Sequence, residues 1–160
     1  MDLAHLHLML CHAPIFGVAF SLLVFIIGFI LKKEILYKVA LCGFIASAII
    51  VFPAYLTGES AERNLMIKIC LTESDIEPHE EASTTAFVFT LILGAVSIFA
   101  LWFQQKKYQK WIYLLVFALA LVAFGTFSYT AYLGGKLRHT EVDPNIKFEK
   151  CANEPVFDED

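Results

Sequence analysis

The stretch from Ala13 to Leu31, A-P-I-F-G-V-A-F-S-L-L-V-F-I-I-G-F-I-L, carries no charged side chain and is closed by Lys32 and Lys33. A helix rises ~1.5 Å per residue and the hydrocarbon core of a bilayer is ~30 Å thick, so a span needs about 20 such residues. With His12 at its head, this segment qualifies. Three others share its character: about Leu36 to Thr57, with Pro53 near its end, about Ser83 to Phe103, and Trp111 to Leu133. In lipid every backbone donor and acceptor must be satisfied within the segment, which makes these runs helices rather than open strands. The sequence therefore predicts an all-α, integral membrane four-helix bundle over residues 1–142, followed by an acidic outward tail over 143–160.

Composition points the same way. Of the 160 residues, 58% are hydrophobic and 18% charged, against roughly 45–50% and about 25% in soluble domains. That excludes an ordinary water-soluble domain and identifies the lipid bilayer as the first partner. A net charge of -4 leaves no basic patch for a nucleic-acid partner. Orientation follows from the lysines. The first connection holds Lys32, Lys33 and Lys38 against Glu34 alone, and the third holds Lys106, Lys107 and Lys110 with no acid. Basic loops stay in the cytoplasm, so both termini are expected on the outer (periplasmic) side of a bacterial inner membrane. The opening M-D-L-A-H lacks a basic n-region, and the first helix is expected to be retained. Apart from a loose similarity of the two helical hairpins, no repeat stands out.

The four cysteines divide by place. Cys42 falls inside the second helix, where a buried thiol acts as a small hydrophobe, and Cys11 sits at the outer mouth of the first. Cys70 and Cys151 fall in outward segments, where an oxidising compartment permits a disulfide.

All five histidines fall on the outer side of this topology. His5, His7 and His12 precede or open the first helix, His79 precedes the third, and His139 follows the fourth. An interfacial histidine is commonly just solvated. A ring at the edge of the hydrocarbon, as for His12, usually has a partner or a function. His79 heads a stripe of small residues, Ala86, Thr90, Gly94 and Ser97, near one helical face. Such a stripe lets helices approach closely or gives a slot for a flat group. A haem iron takes axial imidazoles from facing helices, and its propionates call for cations such as Arg63, Lys136 or Arg138. His7 lies about 140° around the helix from His12, so a bis-histidine site must draw on different segments. The expected pairings are His12 with His79, or His7 with His139, giving one haem b, or two if both pairs form. A non-haem metal is the competing chemistry, with Glu59, Glu62, Glu80, Glu81 and Glu141 on the same side. On the fourth helix, Gly134 and Gly135 are expected to end the helix and let Arg138 and His139 fold back over the bundle mouth. Ser47 and Tyr55 are expected to face the same cavity.

Several short motifs carry a resemblance. H-L-M-L-C-H-A-P-I, from His7 to Ile15, resembles the H-P-L-x-V-H-F-P-I opening of small bacterial four-span membrane proteins known as domain of unknown function 2231, with Leu8 replacing the first proline. A-Y-L-T-G-E-S-A, Ala54 to Ala61, is similar to the A-x-x-T-G segment of that family, and His79 to a histidine opening its third span. The ending Y-L-G-G-K-L-R-H-T-E-V, Tyr132 to Val142, resembles its G-G-x-L-V-Y-R-H-G-V closure with two residues fewer. Some members are joined to Rieske iron-sulfur domains, so the resemblance implies a redox membrane context for His7, His12, His79 and His139.

The leading expectation is a membrane-integral b-type cytochrome that carries electrons, with His12, His79, His7 and His139 as haem ligands and Arg63 and Arg138 beside the propionates. Its partners would be other membrane or periplasmic redox proteins in a respiratory or reductase assembly. The rival readings are a non-catalytic accessory subunit of a larger complex and a histidine/carboxylate metal-binding membrane protein.

Overall fold

The computed structural model describes residues 3–58, 73–103 and 106–138. These form four helices, α1 (Leu3–Leu31), α2 (Glu34–Leu56), α3 (Glu73–Trp102) and α4 (Lys106–Arg138). Each is long and apolar enough to cross a membrane. α1 packs on α2, α2 on α3, α3 on α4, and α4 closes the ring on α1 through the thinnest seam. Because successive helices are antiparallel, α1 begins and α4 ends at one end of the bundle, the histidine end. The connections rich in lysine lie at the other. Arg63, Cys70, His139, Cys151, the carboxylates of Glu59, Glu62 and Glu141, and the acidic tail lie outside the described residues.

The helices outrun the hydrophobic segments at the histidine end. α1 starts at Leu3 rather than near His12, and α3 at Glu73 rather than near Ser83. The added turns of α3, E-S-D-I-E-P-H-E-E, are acidic, and negative charge at a helix N-terminus is favoured by the aligned peptide dipoles. Helix α4 continues through Gly134 and Gly135 to Arg138. The expected stop at the glycine pair, with a fold-back beyond it, is not what the backbone does. Three helices carry an internal proline near this end: Pro14 in α1, Pro53 in α2 and Pro78 in α3.

At the lysine end the turn from α1 to α2 is tight. Lys32 adopts a left-handed backbone, φ 54°, and Lys33 N–H donates to the Gly28 carbonyl at 3.2 Å. This is the six-to-one closure of a Schellman motif, which reverses the chain within one turn. Above it, Phe25 of α1 meets Tyr37 of α2 edge-on at 5.0 Å and stacks on Phe117 of α4 at 6.3 Å, while Tyr37 stacks on Tyr113 at 4.6 Å. Through these rings α1 and α2 both reach α4.

The mid-bundle seams are made of small residues. A Cβ on Gly17 would collide with the Ser47 hydroxyl, and one on Gly43 with the Ser21 hydroxyl. Gly17 and Ser21 on α1 thus interleave with Gly43 and Ser47 on α2, each serine filling the gap its partner glycine leaves. The stripe on α3 serves the same end: Gly94 faces Ala48 of α2 so closely that a Cβ would collide with the Ala48 methyl. The stripe is thus closed rather than an open slot, with Gly94 against α2 and Ala86, Thr90 and Ser97 buried, and Ser47 lies in the α1–α2 seam, donating to the Gly43 carbonyl at 2.9 Å. Ser97 is fully buried on α3 and its hydroxyl finds no hydrogen-bond partner. It fits the seam by size. Large apolar side chains point outward instead: Phe16 is 69% exposed, Ile49 68% and Leu114 55%. Cys42, expected to be buried, is also exposed, on the lipid-facing side of α2. This inside-out arrangement suits a lipid solvent, in which large side chains lose nothing by facing outward.

Gly94→Val should lower stability in detergent by about 1–3 kcal/mol, the usual cost of overpacking. Ser97→Ala should be neutral or stabilising by about 1 kcal/mol, since it removes an unpaired buried hydroxyl. Thermal unfolding followed by far-ultraviolet circular dichroism separates the two outcomes.

Candidate functional site

With α1 starting at Leu3, the 140° between His7 and His12 turns the two rings to different sides. His12 is exposed, its ring lying over Phe16 at 6.5 Å with its Nδ1 3.3 Å from the Cys11 sulfur. His7 is half-buried and turned toward the bundle. Its Nδ1 lies 2.9 Å from the Ala54 carbonyl oxygen and 3.3 Å from Thr57 Oγ1. A carbonyl can only accept, so His7 Nδ1 carries the proton and donates it. Thr57 is held in place in turn, its hydroxyl reaching the carbonyls of Pro53 and Ala54, each at 3.0 Å.

His79 repeats the arrangement on the second hairpin. Half-buried on α3, it donates from Nδ1 to the Thr130 carbonyl of α4 at 3.2 Å. Each ring also lies against a glycine. Gly58 is beside His7, where a Cβ would come 3.5 Å from Cε1, and Gly134 is beside His79, where it would come within 3.0 Å. At Gly134 a side chain would crowd the ring, so this glycine makes room for the imidazole and does not mark a helix end.

The two imidazoles come from diagonal helices at the same end of the bundle. Burial pushes the His7 imidazole below its ordinary range, with the hydrogen bond to Ala54 opposing that only in part. Near pH 7 it is neutral. With both Nδ1 protons given to carbonyls, the lone pairs reside on the two Nε2 atoms. That is the tautomer of a metal-ligating histidine, whose other ring nitrogen usually donates to a carbonyl or carboxylate.

The structure thus turns His7 and His79 inward at one end of the bundle, where the sequence suggested the pairings His12 with His79 or His7 with His139. His139 and Arg63 lie outside the described residues, and Arg138 occupies the end of α4. Tyr55 is exposed, its hydroxyl 3.0 Å from Thr84 Oγ1. Thr126, Ser128 and Thr130 donate back to carbonyls of their own helix. Sequence reasoning missed the two acceptor carbonyls and the role of both glycines. The signal was present as a short repeat, A-Y-L-T-G at Ala54–Gly58 and A-Y-L-G-G at Ala131–Gly135. In each hairpin the acceptor carbonyl and the glycine against the ring are four residues apart, Ala54 with Gly58 and Thr130 with Gly134, though the second set is offset by one residue within the repeat.

Among the described residues, no three His, Cys, Asp or Glu side chains converge on one point. No family model matches this chain, and neither a curated protein nor a solved structure does. The site is therefore read from its own atoms.

Gly134→Val should displace the His79 ring and break its bond to Thr130, destabilising the histidine end by about 1–3 kcal/mol. Gly125→Val on the same helix should cost much less, because a Cβ there meets nothing within 4 Å. Nitrogen-15 spectra of the labelled imidazoles, which report the Nδ1 proton directly, distinguish loss of that bond from general unfolding.

Proposed function

We propose that this protein is a b-type cytochrome-like electron carrier of the bacterial inner membrane, with one haem held between His7 and His79 at a periplasmic end of the bundle. The observation that carries the reading is the matched pair of half-buried imidazoles, each with its Nδ1 proton committed to a backbone carbonyl of the next helix. A porphyrin iron takes two axial ligands from protein, whereas a zinc site takes three or four. Two inward imidazoles carried by separate hairpins match the two axial positions in number.

A bound haem would supply a one-electron couple at this end of the membrane. The chain's own residues would do the rest. Ala54 and Thr130 carbonyls fix the plane of each imidazole and raise its basicity as a ligand. Thr57 holds the Ala54 side of that network. Half-burial of both rings limits water and so helps set the potential. Lys136, 5.1 Å from the Tyr132 ring centre, and Arg138 lie in the last turns of α4, at the level where propionates would need cations, and Arg63 is the third candidate cation. Membership in the domain of unknown function 2231 group, and a place among membrane and periplasmic redox partners in a respiratory or reductase assembly, belong to the same proposal.

A dithionite-reduced minus air-oxidised spectrum of the detergent-purified protein, with a pyridine haemochrome assay, should show near-stoichiometric haem b. His7→Ala and His79→Ala should each lower haem content by at least about tenfold, while His12→Ala should retain it. A featureless spectrum from folded protein made with ample haem would overturn the reading. Loss of haem in His12→Ala with retention in His7→Ala would overturn the pairing.

A further inference from the structure

Six lysines gather at the end of the bundle opposite the histidines: Lys32, Lys33 and Lys38 around the α1–α2 turn, and Lys106, Lys107 and Lys110 in the first turns of α4. The acid among them is Glu34, and its carboxylate is taken by Lys38 at 3.1 Å. The two groups belong to helices that stand diagonally in the ring, yet one contact joins them. Tyr37 of α2 stacks on Tyr113 of α4 with ring centres 4.6 Å apart. Lys33, the residue before α2 starts, lies one turn before Tyr37, and Lys110 lies one turn before Tyr113. Because α2 and α4 run in the same direction, both exposed lysines stand on the same side of the stack, toward the membrane surface. Gln109 donates from Nε2 to the Tyr113 hydroxyl at 3.1 Å, so the phenol's own proton adds a donor beside Gln109.

Apolar rings stand at the same level. Trp102 is 83% exposed and Trp111 69%, the placement expected of tryptophan at the border of hydrocarbon and headgroups. Leu31 and Ile35 are exposed beside the first lysine group. The matching occupant therefore offers negative charge to the lysines and acyl chains to the rings. A soluble anion has only the first. A zwitterionic phospholipid brings its own cation toward the lysines, and a lipid with one phosphate serves one lysine group and leaves the other.

From this we infer that the lysine end binds one phospholipid bearing two phosphates, of the cardiolipin type, with Lys32 and Lys33 holding one phosphate and Lys107 and Lys110 the other. The headgroup would bridge α2 and α4 below the Tyr37–Tyr113 stack, and the acyl chains would run past Trp102 and Trp111. Basic sites between the ends of membrane helices are the recurring receptor for such headgroups. No histidine takes part, so the inference is independent of haem.

The chain has two tryptophans, both at this end, and their fluorescence reads the site directly. The full chain, stripped of lipid, is placed in phosphatidylcholine nanodiscs containing cardiolipin with brominated acyl chains, which quench tryptophan on contact. Brominated phosphatidylglycerol at equal phosphate and brominated phosphatidylcholine are the comparisons. Quenching by cardiolipin should saturate at one lipid per chain and be at least about tenfold tighter than by phosphatidylglycerol, since each lysine engaged is worth about fivefold. The double variant Lys33→Gln/Lys110→Gln should weaken binding at least about tenfold with helix content unchanged by circular dichroism, and Lys33→Arg/Lys110→Arg should retain it. Lys136→Gln, at the histidine end, should bind like the parent. The inference fails if quenching does not saturate, if phosphatidylglycerol at equal phosphate does as well, or if the double glutamine variant binds like the parent. Displacement of the lipid by an equal concentration of dissolved pyrophosphate would overturn it too, by showing a site for a soluble anion.

Discussion

Two helices in lipid gain nothing by hiding apolar side chains from one another, because the acyl chains around them are equally apolar. What holds them is the close approach of backbones, and this bundle depends on that constraint. Gly17 and Ser21 interleave with Gly43 and Ser47 across α1 and α2, and Gly94 meets Ala48 across α2 and α3. With α2 held against both neighbours, the carbonyl of Ala54 reaches His7. The fixed partner of that imidazole is therefore a result of packing lower in the membrane, not of any local motif around the histidine.

The two hairpins use one solution twice. In each, a histidine near the start of the first helix donates to a carbonyl near the end of the second, beside a glycine that leaves room for the ring. Each imidazole is fixed by its own hairpin, and both stand at one end of the bundle when the hairpins pack. The site is thus assembled from two half-sites, each formed mostly by contacts within one hairpin, and the α2–α3 seam sets the distance between them.

The fold was largely legible in the sequence, since four long segments, three without a charge and one with Lys38 alone near one end, leave little choice in a solvent that cannot hydrogen-bond the backbone. The small-residue stripe on α3 was legible too, although only the structure shows that it is buried and that Gly94 meets α2. The site was less so. Hydropathy marks where apolar residues end but not where a helix ends, and the true starts at Leu3 and Glu73 decide which histidine faces inward. Taking Gly134 and Gly135 as a stop follows the usual helix-terminating preference of glycine. Here the same absence of a side chain admits the His79 ring, a use that depends on a neighbour far away in sequence. Burial of Cys42 was misjudged for a related reason: position within a helix does not reveal which side faces lipid.

Pro14, Pro53 and Pro78 sit near the same end of three different helices, and each deprives its helix of one backbone hydrogen bond. Stiffness along the bundle is therefore uneven. Below the prolines the glycine and serine seams and the aromatic cluster resist bending, whereas the turns bearing His7 and His79 lie at or beyond the weakened level. Small tilts of these three helix tips would change the separation of the imidazoles while the seams beneath stay closed. The histidine end is therefore the part of the bundle with the fewest helical hydrogen bonds to hold it straight, and the body below it is the part held most firmly.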